Sequence, residues 1–244
     1  MKKNNTYRQI AQHMIALVAV MCFIACNKDT EEEPQKFLIE YGTIEKTDEE
    51  NYTILLDKGD ILLPTENIVP GRTLKNNMRV DIDYTILEEA ADSCKEDYYV
   101  RINYLNEIPT WSIIPYTSSI EDSIGNDPVQ IINTQIANGF ITIEFYYETS
   151  ALSDTHNFSL VMHPATSSSN NIQLEFRHNA HGDKGTNKFG HVCFRLQEAL
   201  LDKQGLIKLR IKYNDFNGPK DIDLTYNSPQ MGDTNFTPQP HFSR

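Results

Sequence analysis

Apolar and polar residues alternate with a period of two along much of the chain after residue 36. The clearest run is Met78 to Leu87, in which apolar side chains hold the even positions and polar side chains most of the odd ones. This period is typical of a β-strand with one face on a core and the other in water. It therefore predicts that Asp81 and Asp83 are solvated surface charges and not a paired catalytic site.

Residues 37–114 contain about five short strands of this kind, before a last strand, Trp111 to Ile114, closes this half. So many short strands in so few residues suit a small closed barrel, since closure removes exposed sheet edges. The predicted strands are Phe37 to Thr47, Tyr52 to Leu56, Ile61 to Leu63, Met78 to Leu87 and Tyr98 to Tyr104.

The polar composition of residues 115–127 predicts a linker. Residues 128–228 are predicted to contain a second series of about seven strands. Seven short antiparallel strands in about 100 residues favour an immunoglobulin-like β-sandwich. The fold class predicted for the whole chain is therefore all-β, a small barrel followed by a β-sandwich. Residues 229–244 contain three prolines without periodicity and are predicted to form a flexible tail.

The N-terminus has the marks of a signal peptide over residues 1–25. Three basic residues precede an unbroken run of 12 apolar residues, Met14 to Ala25. A membrane-spanning helix needs about 20 apolar residues, so this run is too short to span a bilayer. Export of the chain is the predicted consequence.

The sequence Phe23-Ile24-Ala25-Cys26 resembles the lipobox of bacterial lipoproteins, in which a small residue precedes the cysteine that is acylated. The resemblance implies cleavage before Cys26 and a lipid anchor on that cysteine. Phe23 departs from the leucine usual at the first position. An ordinary signal peptide with an incidental cysteine is the alternative, and Cys22 is a competing cysteine that lacks the small residue before it.

Residues 26–36 are polar and acidic, which predicts a disordered tether between the lipid and the first strand. Acidic residues shortly after the cysteine, from Asp29 to Glu33, resemble the signal that sends some lipoproteins to the outer membrane. The protein is thus expected on that membrane, on its periplasmic or its cell-surface side.

The charge balance narrows the choice of partners. The chain has 22 Lys and Arg against 34 Asp and Glu, and removing residues 1–25 takes away three basic residues, which leaves 19 against 34 and a net charge of −15. Such a surface repels nucleic acid and anionic lipid head groups. Cys94 and Cys193 are expected to be two isolated thiols, with a bridge between them as the less favoured alternative.

One histidine-rich segment could carry chemistry. His178, His181, Asp183 and His191 lie within 14 residues, and His156 and His163 precede them. Imidazole and carboxylate are good zinc ligands, so a metal site would suit a hydrolase of envelope material. The segment is rich in glycine and is predicted to be a loop, which makes solvated loop histidines the favoured interpretation. No GxSxG turn and no phosphate-binding glycine loop occur, so no catalytic residue and no cofactor is predicted.

Two other residues have a structural and a functional interpretation. Cys193 lies in a predicted strand, where a small buried side chain is favoured over a nucleophile. Trp111 and the nearby tyrosines could form a platform for sugars or peptides. Packing in a core or between domains is the favoured role for Trp111.

Taken together, the layout resembles the NigD-like lipoproteins. The resemblance rests on the lipobox, the acidic tether, the two β domains, and the sequence Tyr213-Asn214-Asp215-Phe216-Asn217-Gly218 before the strand Leu224-Thr225-Tyr226. It implies an OB-like barrel at residues 37–114 and a β-sandwich at 128–228. A bacteriocin-immunity role has been suggested for that family, and no family active site exists to carry over.

The leading hypothesis is a non-enzymatic binding or scaffolding lipoprotein, held to the membrane through lipid on Cys26, with a protein, peptide or glycan partner. The rival hypothesis is a metal-dependent hydrolase that uses the His178–His191 segment. A purely structural component of the envelope is the third.

Overall fold

The computed structural model describes residues 37–46, 51–67, 73–150, 156–164, 166–168, 170–196, 200 and 205–228. The predicted signal peptide, Cys26, the tether and the tail at 229–244 lie outside these residues. Within the described ranges, no helix is both long and apolar enough to cross a membrane. Barrel and sandwich belong to the same compact unit, which begins at Phe37.

Five strands close the predicted barrel in the order β1-β2-β3-β5-β4. Their even-numbered apolar positions meet inside, where Ile82, Tyr84 and Ile102 are fully buried. Gly42 lies where β1 pairs with both β2 and β4, and a Cβ there would come within 2.6 Å of the Ile54 side chain. The strands are β1 Phe37–Lys46, β2 Tyr52–Leu56, β3 Ile61–Asn67, β4 Arg79–Glu89 and β5 Tyr98–Glu107.

Two short strands follow the barrel in sequence, β6 Thr110–Ser112 and β7 Ile114–Pro115, and both belong to the sheets of the β-sandwich. We expected Trp111 to Ile114 to close the barrel half, and this placement is wrong. β6 pairs in parallel with a strand of one sandwich sheet and β7 with a strand of the other. A 3-10 turn, Ser118–Ile120, and the short helix α1, Glu121–Ile124, follow in the segment predicted to be a linker, and Ile124 is buried.

The remaining strands complete a β-sandwich. They are β8 Gln130–Ala137, β9 Phe140–Thr149, β10 Asn157–Met162, β11 Asn171–Asn179, β12 Thr186–Arg195, β13 Gly205–Asp215 and β14 Gly218–Ser228. One sheet has the order β14-β13-β11-β10-β7 and the other β6-β12-β9-β8. The all-β fold class of a barrel followed by a sandwich is therefore confirmed.

The expectation of purely antiparallel strands is wrong in detail. β11 and β13 pair in parallel, as do the two short strands β6 and β7 with their partners. Alternation records which face of a strand is buried and not the direction of its neighbour, so the pattern cannot distinguish the two arrangements. The core between the sheets is aromatic-rich, with Phe145, Phe176 and Phe194 among its buried side chains.

The barrel packs against the outer face of the four-stranded sheet, and Arg79 lies at the centre of this contact. Its guanidinium group is 1% exposed and binds Asp57 through two hydrogen bonds of 2.6 and 2.7 Å. It also donates to Thr43 of β1 at 2.9 Å and to Thr142 of β9 at 3.2 Å. We call the buried set of Thr43, Arg79, Thr142 and Cys193 the junction.

The β8–β9 turn completes the contact around Asp57. Asn138 and Gly139 both have positive φ, 51° and 80°, as a two-residue hairpin turn requires. The turn lets the Asn138 amide donate to the carbonyl oxygens of Leu55 and Leu56 at 3.3 and 3.4 Å. Gln135 of β8 donates to the Asp57 carboxylate at 2.7 Å. Asp57, at the end of β2, is thus held by both domains.

Removing the negative partner of a buried arginine should be costly. We predict that Asp57→Asn lowers the free energy of unfolding by about 3–5 kcal/mol, because Arg79 would keep an uncompensated buried charge. Urea denaturation of the full-length protein measures this loss.

Asp223→Asn is the matched control, since Asp223 forms a similar two-bond pair with Arg210 at 2.7 and 2.8 Å on the exposed face. Exposed pairs contribute little, so its unfolding midpoint should stay close to that of the wild type. Equal midpoints for the two variants would show that Arg79–Asp57 does not hold the domains together.

Candidate binding cleft

A cleft of about 800 Å³ opens beside the junction, between β1 and β4 of the barrel and β8, β9, β12 and β14 of the sandwich. Its floor follows from strand geometry. Moving two residues along each of four strands leads from a buried junction residue to a residue on the same face that lines the cleft. These steps are Thr43 to Tyr41, Arg79 to Asp81, Thr142 to Glu144 and Cys193 to His191.

Strand register places these floor residues in two facing pairs. Tyr41 is opposite Asp81 in the barrel, and His191 is opposite Glu144 in the sandwich. The pairs meet where the Tyr41 hydroxyl lies 3.3 Å from Nδ1 of His191, with the rings nearly perpendicular at 5.6 Å between centroids. One aromatic contact therefore joins the two domains at the bottom of the cleft.

The floor is acidic and partly shielded from water. Burial raises the pKa of Asp81, Glu144 adds to the rise, and His191 opposes it. Burial also raises the pKa of Tyr41, again with a contribution from Glu144. A tyrosine with a raised pKa stays protonated at neutral pH, so Tyr41 is a poor nucleophile and a poor general base.

The rim of the cleft is apolar on both sides. Ile39 of β1 is 72% exposed, and Phe189 of β12 is 44% exposed. The ring of Phe189 packs edge-on against Tyr146 at 6.0 Å and lies 5.8 Å from His191. Exposed apolar side chains around a polar floor are typical of a binding site.

The structure separates the histidines that the sequence grouped together. His178 lies in β11 and is 2% exposed, whereas His191 lies in β12 and lines the cleft. The prediction that the His178–His191 segment is a loop is therefore wrong at both ends, because His178 and Asn179 pair with β10 and residues 186–191 pair with β9. Over the described ranges, no group of three or more His, Cys, Asp or Glu side chains is arranged to hold a metal ion.

His178 belongs instead to a buried hydrogen-bonded chain at one end of the sandwich. Its Nε2 lies 2.8 Å from Nδ1 of His156, whose Nε2 lies 2.9 Å from the Asp183 carboxylate. Asp183 also accepts hydrogen bonds from the Thr149 hydroxyl and the Ser150 amide, both at 2.9 Å. The His178 ring stacks on Phe158 at 4.7 Å. The chain ties the ends of β9, β10 and β11 together.

The other singled-out residues have varied positions. Cys193 is buried at the junction and Cys94 is exposed, and both are free thiols. Asp81 was expected to be solvated but is half-buried in the cleft, because the barrel face that carries it is covered by the sandwich. Asp83 accepts a hydrogen bond from Asn103 at 3.1 Å. Trp111 is 41% exposed, with its ring 6.1 Å from Phe194 of the core.

Sequence reasoning missed the residues that position the cleft. Arg79 and Asp57 carry no local signal of their pairing, since charged residues at strand ends are ordinarily solvated. The sequence does contain one signal of the hairpin, since Asn138-Gly139 between two apolar strands is typical of a tight two-residue turn. The tip of that hairpin is what contacts β2.

The buried His178 should make the fold sensitive to acid. Burial lowers its pKa to about 4, against about 6.5 for an exposed histidine. Below pH 6.5 the unfolded chain binds the proton more readily, so stability falls as the pH drops toward 4. Between pH 7 and pH 5 the lowered pKa of His178 therefore reduces the free energy of unfolding by about 2 kcal/mol.

We predict that His178→Phe, which keeps the ring stacked on Phe158, removes this pH-dependent loss. Urea denaturation at pH 7 and pH 5 measures it for each variant. His181→Asn is the control, since His181 lies in an exposed turn at φ 51°, a conformation that asparagine tolerates. Its decrease in unfolding free energy between pH 7 and pH 5 should equal that of the wild type. An unchanged loss in His178→Phe would contradict the assignment.

Comparison with known proteins identifies the two domains. The family model described as "NigD-like N-terminal OB domain" matches residues 41–108. The family model described as "NigD-like C-terminal beta sandwich domain" matches residues 112–226. No curated protein sequence matches the chain significantly.

Solved structures of several bacterial proteins have the same fold. A protein of Parabacteroides distasonis described as toxin-related is 30% identical, with a TM-score of 0.69 over 79% of this chain and 94% of the other. A NigD-like immunity protein from Bacteroides caccae is 17% identical, with a TM-score of 0.60 over 79% and 97%. A Bacteroides fragilis protein described as a lipoprotein is 13% identical, with a TM-score of 0.53 over 78% and 96%. The chain therefore belongs to the NigD-like family.

Proposed function

We propose that this protein is a lipid-anchored envelope protein that works by binding and not by catalysis, and that the cleft holds a protein partner. The observation that carries the proposal is the exposed apolar rim formed by Ile39 of the barrel and Phe189 of the sandwich. Contact of these apolar groups with water is unfavourable in free energy, and a partner that covers them would remove that contact.

An immunity-type role is the specific form of binding that we favour. Two relatives support it, one described as toxin-related and one as an immunity protein. Protection by such a protein needs only that a toxin be held tightly and kept from its target. A cleft with an aromatic contact and carboxylates, and without an assembled nucleophile, suits that task.

The anchor rests on the sequence alone, since residues 1–36 lie outside those described. We propose that Cys26 becomes the acylated N-terminus, that residues 26–36 serve as the tether, and that the outer membrane holds the lipid. Two or more acyl chains give durable attachment, whereas one chain gives only marginal binding. The B. fragilis relative described as a lipoprotein is consistent with this arrangement.

The anchor predicts that radiolabelled palmitate enters the wild-type protein and not Cys26→Ala. Cys22→Ala serves as the control, because it removes the competing cysteine and should label like the wild type. Labelling of Cys26→Ala at the wild-type level would exclude this site of attachment.

If the cleft is the binding site, substitutions at its apolar rim should weaken partner binding. We expect the double variant Ile39→Ser/Phe189→Ser to capture about tenfold less partner from solubilised envelopes, because buried apolar anchors contribute most of the binding energy at an interface. Quantitative mass spectrometry compares the captured proteins with those of the wild type.

Leu206→Ser is the control variant, since Leu206 is 58% exposed on β13 and does not line the cleft. Its captured proteins should match those of the wild type. A partner lost equally in both variants, or in neither, would show that the cleft is not the binding site.

A further inference from the structure

This inference rests on the proposed function and concerns what occupies the cleft. We infer that the cleft takes an extended, basic segment of the partner protein, with one lysine or arginine side chain inserted between Asp81 and Glu144. The argument combines the shape of the cleft, the pairing of its charges and the apolar rim.

The cleft is open along two sheet edges. β8 is the last strand of the four-stranded sheet and β14 the last strand of the five-stranded sheet, and both contribute lining residues. Edge strands present backbone N–H and C=O groups on which another chain can pair. An extended peptide is therefore the backbone form that this opening fits best, as in other cases of strand addition.

Five carboxylates line the cleft, and three of them are already paired with cations. Glu40 is 2.9 Å from Lys58, Asp57 is bound to Arg79, and Asp223 is bound to Arg210. The other two are Asp81 and Glu144 on the floor. Neither forms a salt bridge with a lysine, an arginine or a histidine among the described parts of the chain. Their neighbours on the floor are Tyr41 and His191, so their negative charges are not neutralised by a lysine or an arginine there.

The two carboxylates come from different domains, and each lies on the strand next to one residue of the Tyr41–His191 contact. Asp81 is on β4 opposite Tyr41, and Glu144 is on β9 opposite His191. Burial raises the pKa of Asp81, His191 opposes the rise, and the nearby Glu144 carboxylate adds to it, so the negative charge of Asp81 is only partly stabilised in the free protein. A cation inserted between them would stabilise that charge.

The rim selects for a side chain with an apolar stem. Lysine and arginine carry three or four methylene groups before the charge, and such stems pack along apolar surfaces while the charged end reaches further. Ile39 offers an aliphatic surface, and the ring of Phe189 can also attract a cation through its π face. A partner segment that alternates basic and apolar residues would contact floor and rim together.

The overall charge agrees with a basic partner. The predicted mature chain carries a net charge of −15, from 19 basic and 34 acidic residues, so an acidic partner or a nucleic acid would be repelled over its whole surface. A basic segment would instead be drawn toward the cleft at low salt.

Two probes test the inference. One is an acetylated, amidated hexapeptide that alternates leucine and arginine, and the other replaces each arginine by the neutral isostere citrulline. Calorimetric titration of the full-length protein in detergent should show binding of the arginine peptide that weakens as salt rises. The citrulline peptide should bind about tenfold more weakly or not measurably.

Variants of equal charge show whether the floor is responsible. Asp81→Asn/Glu144→Gln should bind the arginine peptide about tenfold more weakly than the wild type. Glu89→Gln/Asp92→Asn removes the same charge from exposed positions outside the cleft and should change the affinity by less than about twofold. Equal effects of the two double variants would mean that only net charge matters and would overturn the inference.

The captured partner separates this inference from the proposed function. If Ile39→Ser/Phe189→Ser loses the partner and Asp81→Asn/Glu144→Gln keeps it, the cleft binds a partner but not through a cation, and only the inference fails. If both cleft variants keep the partner, the proposed function fails as well. Loss in both, with unfolding midpoints unchanged, supports both.

Discussion

The buried ion pair of Arg79 and Asp57 lies where the two domains meet, and Asp57 is the one carboxylate that pairs with this arginine among the described residues. Arg79 is fully enclosed, and its charge is offset by Asp57, which also accepts hydrogen bonds from Gln135 and Asn138 of the sandwich. A buried guanidinium group needs its anionic partner in hydrogen-bonding position, because a buried charge left without its partner costs several kcal/mol of stability. We therefore infer that this contact favours one orientation of the barrel on the sheet more strongly than apolar packing alone would.

The cleft is a direct consequence of that orientation. Its four floor residues are each two positions along a strand from a residue of the junction, so the register that buries Arg79 also brings Tyr41 to His191 and places Asp81 and Glu144 beside them. The same contact uses up the charge of Asp57 and leaves those two carboxylates without a cationic partner in the part of the chain described. Under the proposed function, the strands that stabilise the contact between the domains would also carry the residues that recognise the partner.

The period of two in the sequence was sufficient to predict strands, the barrel, the sandwich and the buried position of Cys193. It failed where the environment of a face depends on distant parts of the chain. Arg79 and Asp81 occupy polar positions of an alternating strand, and nothing local shows that the sandwich covers this outer face. His178 appeared to lie in a glycine-rich loop, because its burial depends on pairing with β10 and on the aromatic ring of Phe158. Strand direction and the exchange of β6 and β7 into the sandwich also depend on contacts distant in sequence.

The position of the cleft also explains why the shared fold says little about what a NigD-like protein binds. Both cores, inside the barrel and between the sheets, are built from apolar side chains that define the domains. The cleft is lined by outward-facing residues, which can change without disturbing either core. Relatives at 13–17% identity keep the two-domain architecture. Ile39, Asp81, Glu144 and Phe189 lie outside both cores, so under the proposed function a change of partner would require no change in the junction.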